Sequence, residues 1–472
     1  MVPPARKYQP SGRLQAALQG KGATLEAASW SGDVSLAGFS FKPTEKMKPI
    51  TGVNGTLRFT GDSVESSQIA GKLGNSSISG HGSVNNFKAP TVSVSFASPS
   101  LDLADLGVTT GKTVLRAERV QGSISLKNDN LQIASLSGQL GHSTLQVKGS
   151  IQDLKHPHID VTVNSPHLEL EDLNPLFGSR QQGTDGRRFT MKAQVNATEG
   201  KYRDTPFQHL KTLIQLEDKI VYLQPFEVGC LDGEVTGKVR MDFGSSATRY
   251  QVSCNAQKVS ADKLLHAFGV QKQQIVGALT LQGELSAKGE TAQELKQSAL
   301  GSLKLRVEHG NIRRFSTLAK VFSILNVSQL VKGQLPDMVS GGMPFNRITG
   351  DFAVKDGIAS TQNLFIDSNA MNISTVGKFD LPRNELDLTI GVQPLQTVDK
   401  VVSHIPIVGW ILTGKDRSLI TTYFEAKGPI EDPRVTAIPV KSLGKGVLNI
   451  FKRVFELPAK LFTDTGEVII GK

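Results

Sequence analysis

The chain has 472 residues, of which 38% are hydrophobic and 20% charged, and its net charge is +10. That mix is too apolar for a disordered tail and too polar for a polytopic membrane protein, and Ala, Glu and Leu do not dominate as they would in a helical bundle. The positive charge suits an anionic partner, but Lys and Arg are scattered and aromatics make up only 6%, too few for a base-stacking platform, so nucleic acid is excluded.

From the N terminus, Met1 to Tyr8 is polar and turn-like. No signal peptide or spanning helix is visible, and the literal expectation is a soluble chain without its own export signal. Period-two alternation then takes over. Val92, Val94 and Phe96 alternate with serines. Leu131 and Ile133 follow, then Leu145, Val147, Gly149 and Ile151, then Ile159, Val161 and Val163, each set separated by polar residues. Such alternation predicts strands with one apolar and one polar face.

The polar run Gly178–Arg188 reads as a linker, and the chain divides there into 1–180 and 181–440, with 441–472 as a C-terminal helix and tail. Cys230 and Cys254 fall on strands with a third between them in the chain. At ~4.8 Å per strand they would lie about 9–10 Å apart, beyond disulfide reach. Short helices are expected over 262–268 and over 291–300, the latter capped by Thr291 with Glu294 three residues on. Alternation resumes at Leu303, Leu305 and Val307. A longer helix is expected over 312–331. Leu364 and Ile366, Ile373, and Leu386, Leu388 and Ile390 continue the strands. The stretch 396–413 is helical but broken at Pro406, and a last helix covers 441–462.

Turns such as Asn128-Asp129-Asn130, Gly141-His142 and Lys355-Asp356-Gly357 leave no room for crossover helices, so neighbouring strands are expected to be antiparallel. A weak repeat opens strands with Gly, as in Gly55-Thr-Leu-Arg-Phe, Gly122-Ser-Ile-Ser-Leu, Gly301-Ser-Leu-Lys-Leu and Gly350-Asp-Phe-Ala-Val. A hairpin module repeated over hundreds of residues favours an extended sheet over a small closed barrel. The fold class expected is mainly β: a long curled antiparallel sheet forming an open apolar groove, with a few short helices and a C-terminal amphipathic helix.

Catalytic constellations are lacking. Gly409 to Lys415 has P-loop spacing, but Asp416 replaces the magnesium-binding hydroxyl, and Trp410, Ile411 and Leu412 are too bulky for a phosphate cradle. His156, His158 and His167 have no second ligand pair at metal-site spacing and read as solvated histidines. No enzyme activity, metal or cofactor is expected.

The apolar face has two readings. It packs against a second sheet, or it lines an open trough for lipid tails, each buried CH₂ being worth ~0.8 kcal/mol. The last helix also has two. Val447, Ile450, Phe451, Val454 and Phe455 form one side, with Phe462 beyond, and lysines and arginines form the other. Such a helix either lies in an anionic membrane interface or caps the sheet. Trp410, Ile411 and Leu412 share the interface reading.

Several phrases resemble a known family. Gly310-Asn-Ile-Arg-Arg-Phe, the run from Phe345-Asn-Arg-Ile-Thr-Gly to Gly357-Ile-Ala, Met371-Asn-Ile-Ser-Thr-Val-Gly-Lys-Phe-Asp-Leu, Ile405-Pro-Ile-Val-Gly and Phe424-Glu-Ala-Lys-Gly-Pro-Ile-Glu-Asp-Pro resemble the AsmA-like C-terminal region. They are most similar to its YhdP branch, over about residues 190 to 440. The resemblance implies a repeating β-groove protein of the Gram-negative envelope and periplasm. It further implies movement of phospholipids between inner and outer membranes and support of outer-membrane integrity. Family members usually carry an inner-membrane helix and a longer array, so this chain resembles the C-terminal part of such a protein, served by an inner-membrane-anchored partner or segment. The residues expected to face lipid, taken from the alternating strand sets, are Leu131, Ile133, Leu145, Val147, Ile159, Val161, Leu303, Leu305, Val307, Leu364, Ile366, Ile373, Leu386, Leu388 and Ile390. The implied partners are phospholipids and a membrane surface; the alternative is an outer-membrane assembly scaffold with a self-packed β core.

Overall fold

The computed structural model describes residues 8–22, 29–108, 115–177, 190–267, 275–313, 316–324, 342–395 and 421–456. The chain forms two compact units, residues 1–228 and 229–472. The Gly178–Arg188 linker, the 396–413 stretch with its P-loop-like run, and Phe462 lie outside the described residues.

The first unit carries β1 (Ser11–Lys21), β2 (Ser29–Phe41), β3 (Ile50–Gly61), β4 (Ser63–Ser66), β5 (Ile69–Leu73), β6 (Ser76–Asn85), β7 (Thr91–Asp102), β8 (Arg116–Lys127), β9 (Asn130–Leu140), β10 (Ser143–Gln152), β11 (His158–Glu169), β12 (Thr190–Tyr202) and β13 (Thr205–Glu217). β14 (Ile220–Cys230) carries the chain across the boundary. From β6 to β11 each strand pairs antiparallel with the next. Among the described pairings, the expectation of antiparallel neighbours fails where β11 and β12 pair in parallel. The helix α1 (Leu170–Phe177) and the linker after it supply a connection long enough for a crossover.

The second unit carries β15 (Gly233–Asp242), β16 (Arg249–Ser260), α2 (Ala261–Ala267), β17 (Ile275–Lys288), α3 (Ala292–Gln297), β18 (Leu300–Ile312) and α4 (Ser316–Ile324). It continues with β19 (Met343–Lys355), β20 (Ile358–Asp367), β21 (Met371–Asp380), β22 (Glu385–Pro394), β23 (Thr422–Pro429), β24 (Arg434–Ile438) and α5 (Lys445–Glu456). All its strands from β15 to β24 pair antiparallel in chain order. Thr291 caps α3 as expected, accepting from the Glu294 N–H. Both cysteines are free and half-buried, and burial pushes both thiols up.

Within this unit the sheet curls. α4 follows β18, yet it packs on β24, and the Lys320 ammonium donates to Asp432 (2.5 Å) and to the Pro433 carbonyl (2.8 Å). Laid flat, β24 would stand about 29 Å from β18 at ~4.8 Å per strand, whereas a nine-residue helix rises only ~14 Å. The helix reaches because the sheet wraps around its apolar face.

A module recurs at the strand tips. Leu73-Gly74-Asn75-Ser76 forms one turn and Leu140-Gly141-His142-Ser143 another. Two strands after the first turn, the Asp105 carboxylate accepts from the Asn75 N–H (3.0 Å) and the Ser76 hydroxyl (2.8 Å). Two strands after the second, Asp172 accepts from the His142 N–H (2.8 Å), the Ser143 N–H (3.0 Å) and the Ser143 hydroxyl (2.8 Å). The serine oxygens accept from the Asp102 and Glu169 N–H groups, both at 2.9 Å. Gly74 and Gly141 are left-handed (φ +54° and +57°), and a Cβ on either would strike the clamping carboxylate. In the second unit an exposed ion pair joins the corresponding helix and turn: Lys263 of α2 donates to Asp232 of the β14–β15 turn (2.7 Å).

Candidate functional site: an apolar groove face

Paired residues on neighbouring strands point to the same side of a sheet, so the registers define apolar rows. In the first unit one row runs Val84, Val92, Leu126, Leu131, Ile151, Ile159, Met191 and Leu216, across β6 to β13. A second row includes Val94, Ile124, Ile133, Val161 and Ile214, with Gly82, Gly149 and Ala193 between them. A third includes Phe96, Leu136, Val147, Val163 and Val195. Leu145 lies beyond it, opposite Gly138. All the lipid-facing residues expected in this unit therefore share one face.

Every side chain of the first row is half-buried, as are Leu145, Val147 and Val161, while Ile133 is buried. Closure is fullest at the tips near α1 and the 3-10 turn Leu103–Leu106, where Leu73, Leu101, Val120, Leu140 and Leu168 are buried; along the strands Ile133 and Ala193 of the second row are buried as well. The other face is polar, with Lys148, Asp160 and Lys192 exposed.

The expected residues of the second unit also share one face. Val259, Leu279, Val307, Ile348, Ile366, Ile373 and Val392 form an unbroken row over β16 to β22. Here the degree of burial differs. Val307, Ile366, Ile373, Leu386, Leu388 and Ile390 are buried in a cluster with Phe424, Leu318 and Val321. Leu303, Leu305 and Leu364 remain half-buried. The apolar face is thus filled by the protein's own side chains beneath α4 and part-open along β18.

α5 packs on the opposite face. Phe365, Ser374, Gly391 and Tyr423 form a cross-strand row there. Phe451 meets Tyr423 with ring centroids 5.2 Å apart, and Phe455 meets Phe365 at 6.4 Å. Gly391 leaves room for both helix rings, since a Cβ would come within 3.1–3.2 Å of them. Phe451 and Val454 are buried, Val447, Ile450 and Phe455 half-buried, and Lys445, Lys452 and Arg453 exposed. Burial raises the Tyr423 phenol above its ordinary range. Trp410, Ile411 and Leu412 lie outside the described residues.

The histidines singled out in the sequence stay apart in their pairing. His156 faces Asp153 (3.2 Å), His158 faces Thr190 (2.8 Å), and His167 faces Glu199 (3.3 Å). His142, Glu169 and Asp172 do bring ligand-type atoms within 4.8 Å of one another. Their partners explain this. Asp172 clamps a turn, and Glu169 binds Lys201 (3.0 Å), whose hydrogen bond holds the carboxyl below its ordinary range. The preceding module places Asn75, Asp102 and Asp105 at the same positions, so the geometry is that of the clamp. The clamp escaped the sequence reading. The recurrence of Leu-Gly-x-Ser at 73 and 140, and of Ser-Pro-x-Leu at 98 and 165, is the signal that reveals it.

Among the described residues no helix is long and apolar enough to cross a membrane. No curated protein and no solved structure matches the chain. The family model described as YhdP protein matches residues 145–435, more than half of the chain and the span from β10 into β24. Curled sheet, one-sided apolar rows and family match agree: the chain belongs to the YhdP family.

Proposed function

We propose that this envelope protein is a non-enzymatic lipid conduit, shielding phospholipid acyl chains on its apolar sheet face as they move between inner and outer membranes of the cell envelope. The observation that carries the reading is the half-buried first-unit rows, with Leu131, Ile159 and Val161 aligned strand to strand and part of their surface left uncovered. A soluble sheet that leaves such rows open gains by covering them, and an acyl chain gains ~0.8 kcal/mol per CH₂ by being covered. Head groups stay at the wet rim. The exposed cations Lys445, Lys452 and Arg453 of α5 offer an anionic membrane surface a contact while the apolar side of the helix is docked. An inner-membrane-anchored partner or segment completes the route.

The buried cluster under α4 favours a second reading for the C-terminal end, that of a self-packed assembly scaffold. Mass spectrometry of lipid extracted from the purified protein separates the two. Co-purifying phospholipid that is lost with Val161→Asp supports the conduit. A lipid-free protein that refuses phospholipid on reconstitution contradicts it.

A further inference from the structure

We infer that α4 is a displaceable cover over a second acyl-chain site in the curled sheet of the second unit; this rests on the lipid reading above. Three observations meet here. First, Leu318 and Val321 of α4 belong to the same buried cluster as Val307, Ile366 and Phe424, and Leu303 and Leu305, on the strand of Val307, stay half-open. An acyl chain offers the same chemistry as Leu318 and Val321, so exchange keeps the buried apolar surface nearly constant.

Second, the cover is weakly fastened. Its polar attachment among the described residues includes Lys320 to Asp432 and Pro433, and the Asp432 side chain is 80% exposed, where water and salt compete. Third, the Thr317 hydroxyl is buried (1% exposed) without a hydrogen-bond partner, a penalty of the closed state that opening relieves. The tip clamps of Asp105 and Asp172, in contrast, are satisfied by several hydrogen bonds each.

The test uses the full chain with Cys230→Ser and Cys254→Ser, and a single reporter thiol at Val321→Cys on α4 or at Val392→Cys in the fully buried row of β22. Maleimide labelling is followed with and without oleate. Oleate is expected to speed labelling at 321 by about tenfold and leave 392 protected, and Asp432→Lys is expected to do the same without oleate. Equal labelling at 321 with and without oleate overturns the cover, as does a rise at 321 matched at 392, which reports unfolding of the sheet. Opening by Asp432→Lys with no response to oleate overturns it too, since no acyl chain then competes. A photo-crosslinker at Val161 keeps the two proposals apart. Capture of oleate there with 321 unmoved sinks the cover alone, whereas no capture there and no response at 321 sink both.

Discussion

Asp172 stands to Ser143 as Asp105 stands to Ser76: each carboxylate accepts a 2.8 Å hydrogen bond from the serine hydroxyl of a turn two strands back. The clamp ties the end of every such hairpin to the helix or 3-10 turn that follows. Asp105 is 4% exposed, so its hydrogen bonds are shielded from water. Asp105→Ala should therefore cost ~2–4 kcal/mol. The loss should be local, appearing as faster hydrogen exchange at Asn75 and Ser76 while the second unit is unchanged.

Glu169 gives the first unit a pH dependence. Lys201 holds its carboxyl below the ordinary 4.5, with His142 and His167 adding to the effect. A depressed folded value contributes stability that is fully present above the unfolded value and is lost as pH falls through the folded one. Exchange protection around β10 to β12 should hold at pH 6 and decline below about 4.5. Lys201→Met should raise the titration midpoint of Glu169 when followed by carboxyl NMR; an unmoved midpoint would refute the assignment.

Truncation should separate the open rows from the closed one. Ile373 is 1% exposed inside its cluster, so Ile373→Ala should cost ~2–5 kcal/mol. Val161 is half-buried, and Val161→Ala should cost about 1 kcal/mol or less. Urea titrations of the two variants measure the difference. Equal costs would mean that the first-unit face is as tightly filled as the second.

Beneath α5, the Ser374 hydroxyl is fully buried without a partner. Ser374→Ala should be neutral or stabilising by about 1 kcal/mol, because the residue loses an unsatisfied group and keeps its packing. Gly391→Ala should act in the opposite sense, since its Cβ would press on the Phe451 and Phe455 rings. Thermal melts of the pair test the docking of α5 directly.

How far this was legible follows from range. Alternation at Leu145/Val147 or Leu386/Leu388 is a local pattern, and it picks out residues that share one face within each unit. Burial depends on what arrives from elsewhere. Nothing near Ile390 in the chain announces that Leu318 and Val321 will join its cluster from a helix before β19. The parallel β11–β12 pair was missed because the turns read nearby are short and α1 hides its length beside a polar linker. Asp105 and Asp172 sit where no period applies, and only the recurrence of their surroundings betrays them.

The central claim is that acyl chains ride the apolar face and avoid the polar one. The most direct measurement is site-specific photo-crosslinking in cells, with the reactive group at Val161 or Leu305 on the apolar face and at Lys148 or Lys192 on the polar face. The account predicts phospholipid adducts at 161 and 305 and none at 148 or 192, and capture from a crosslinker at 303 that is abolished by Leu305→Asp. Adducts confined to the lysine positions, or absent from all four, would contradict it.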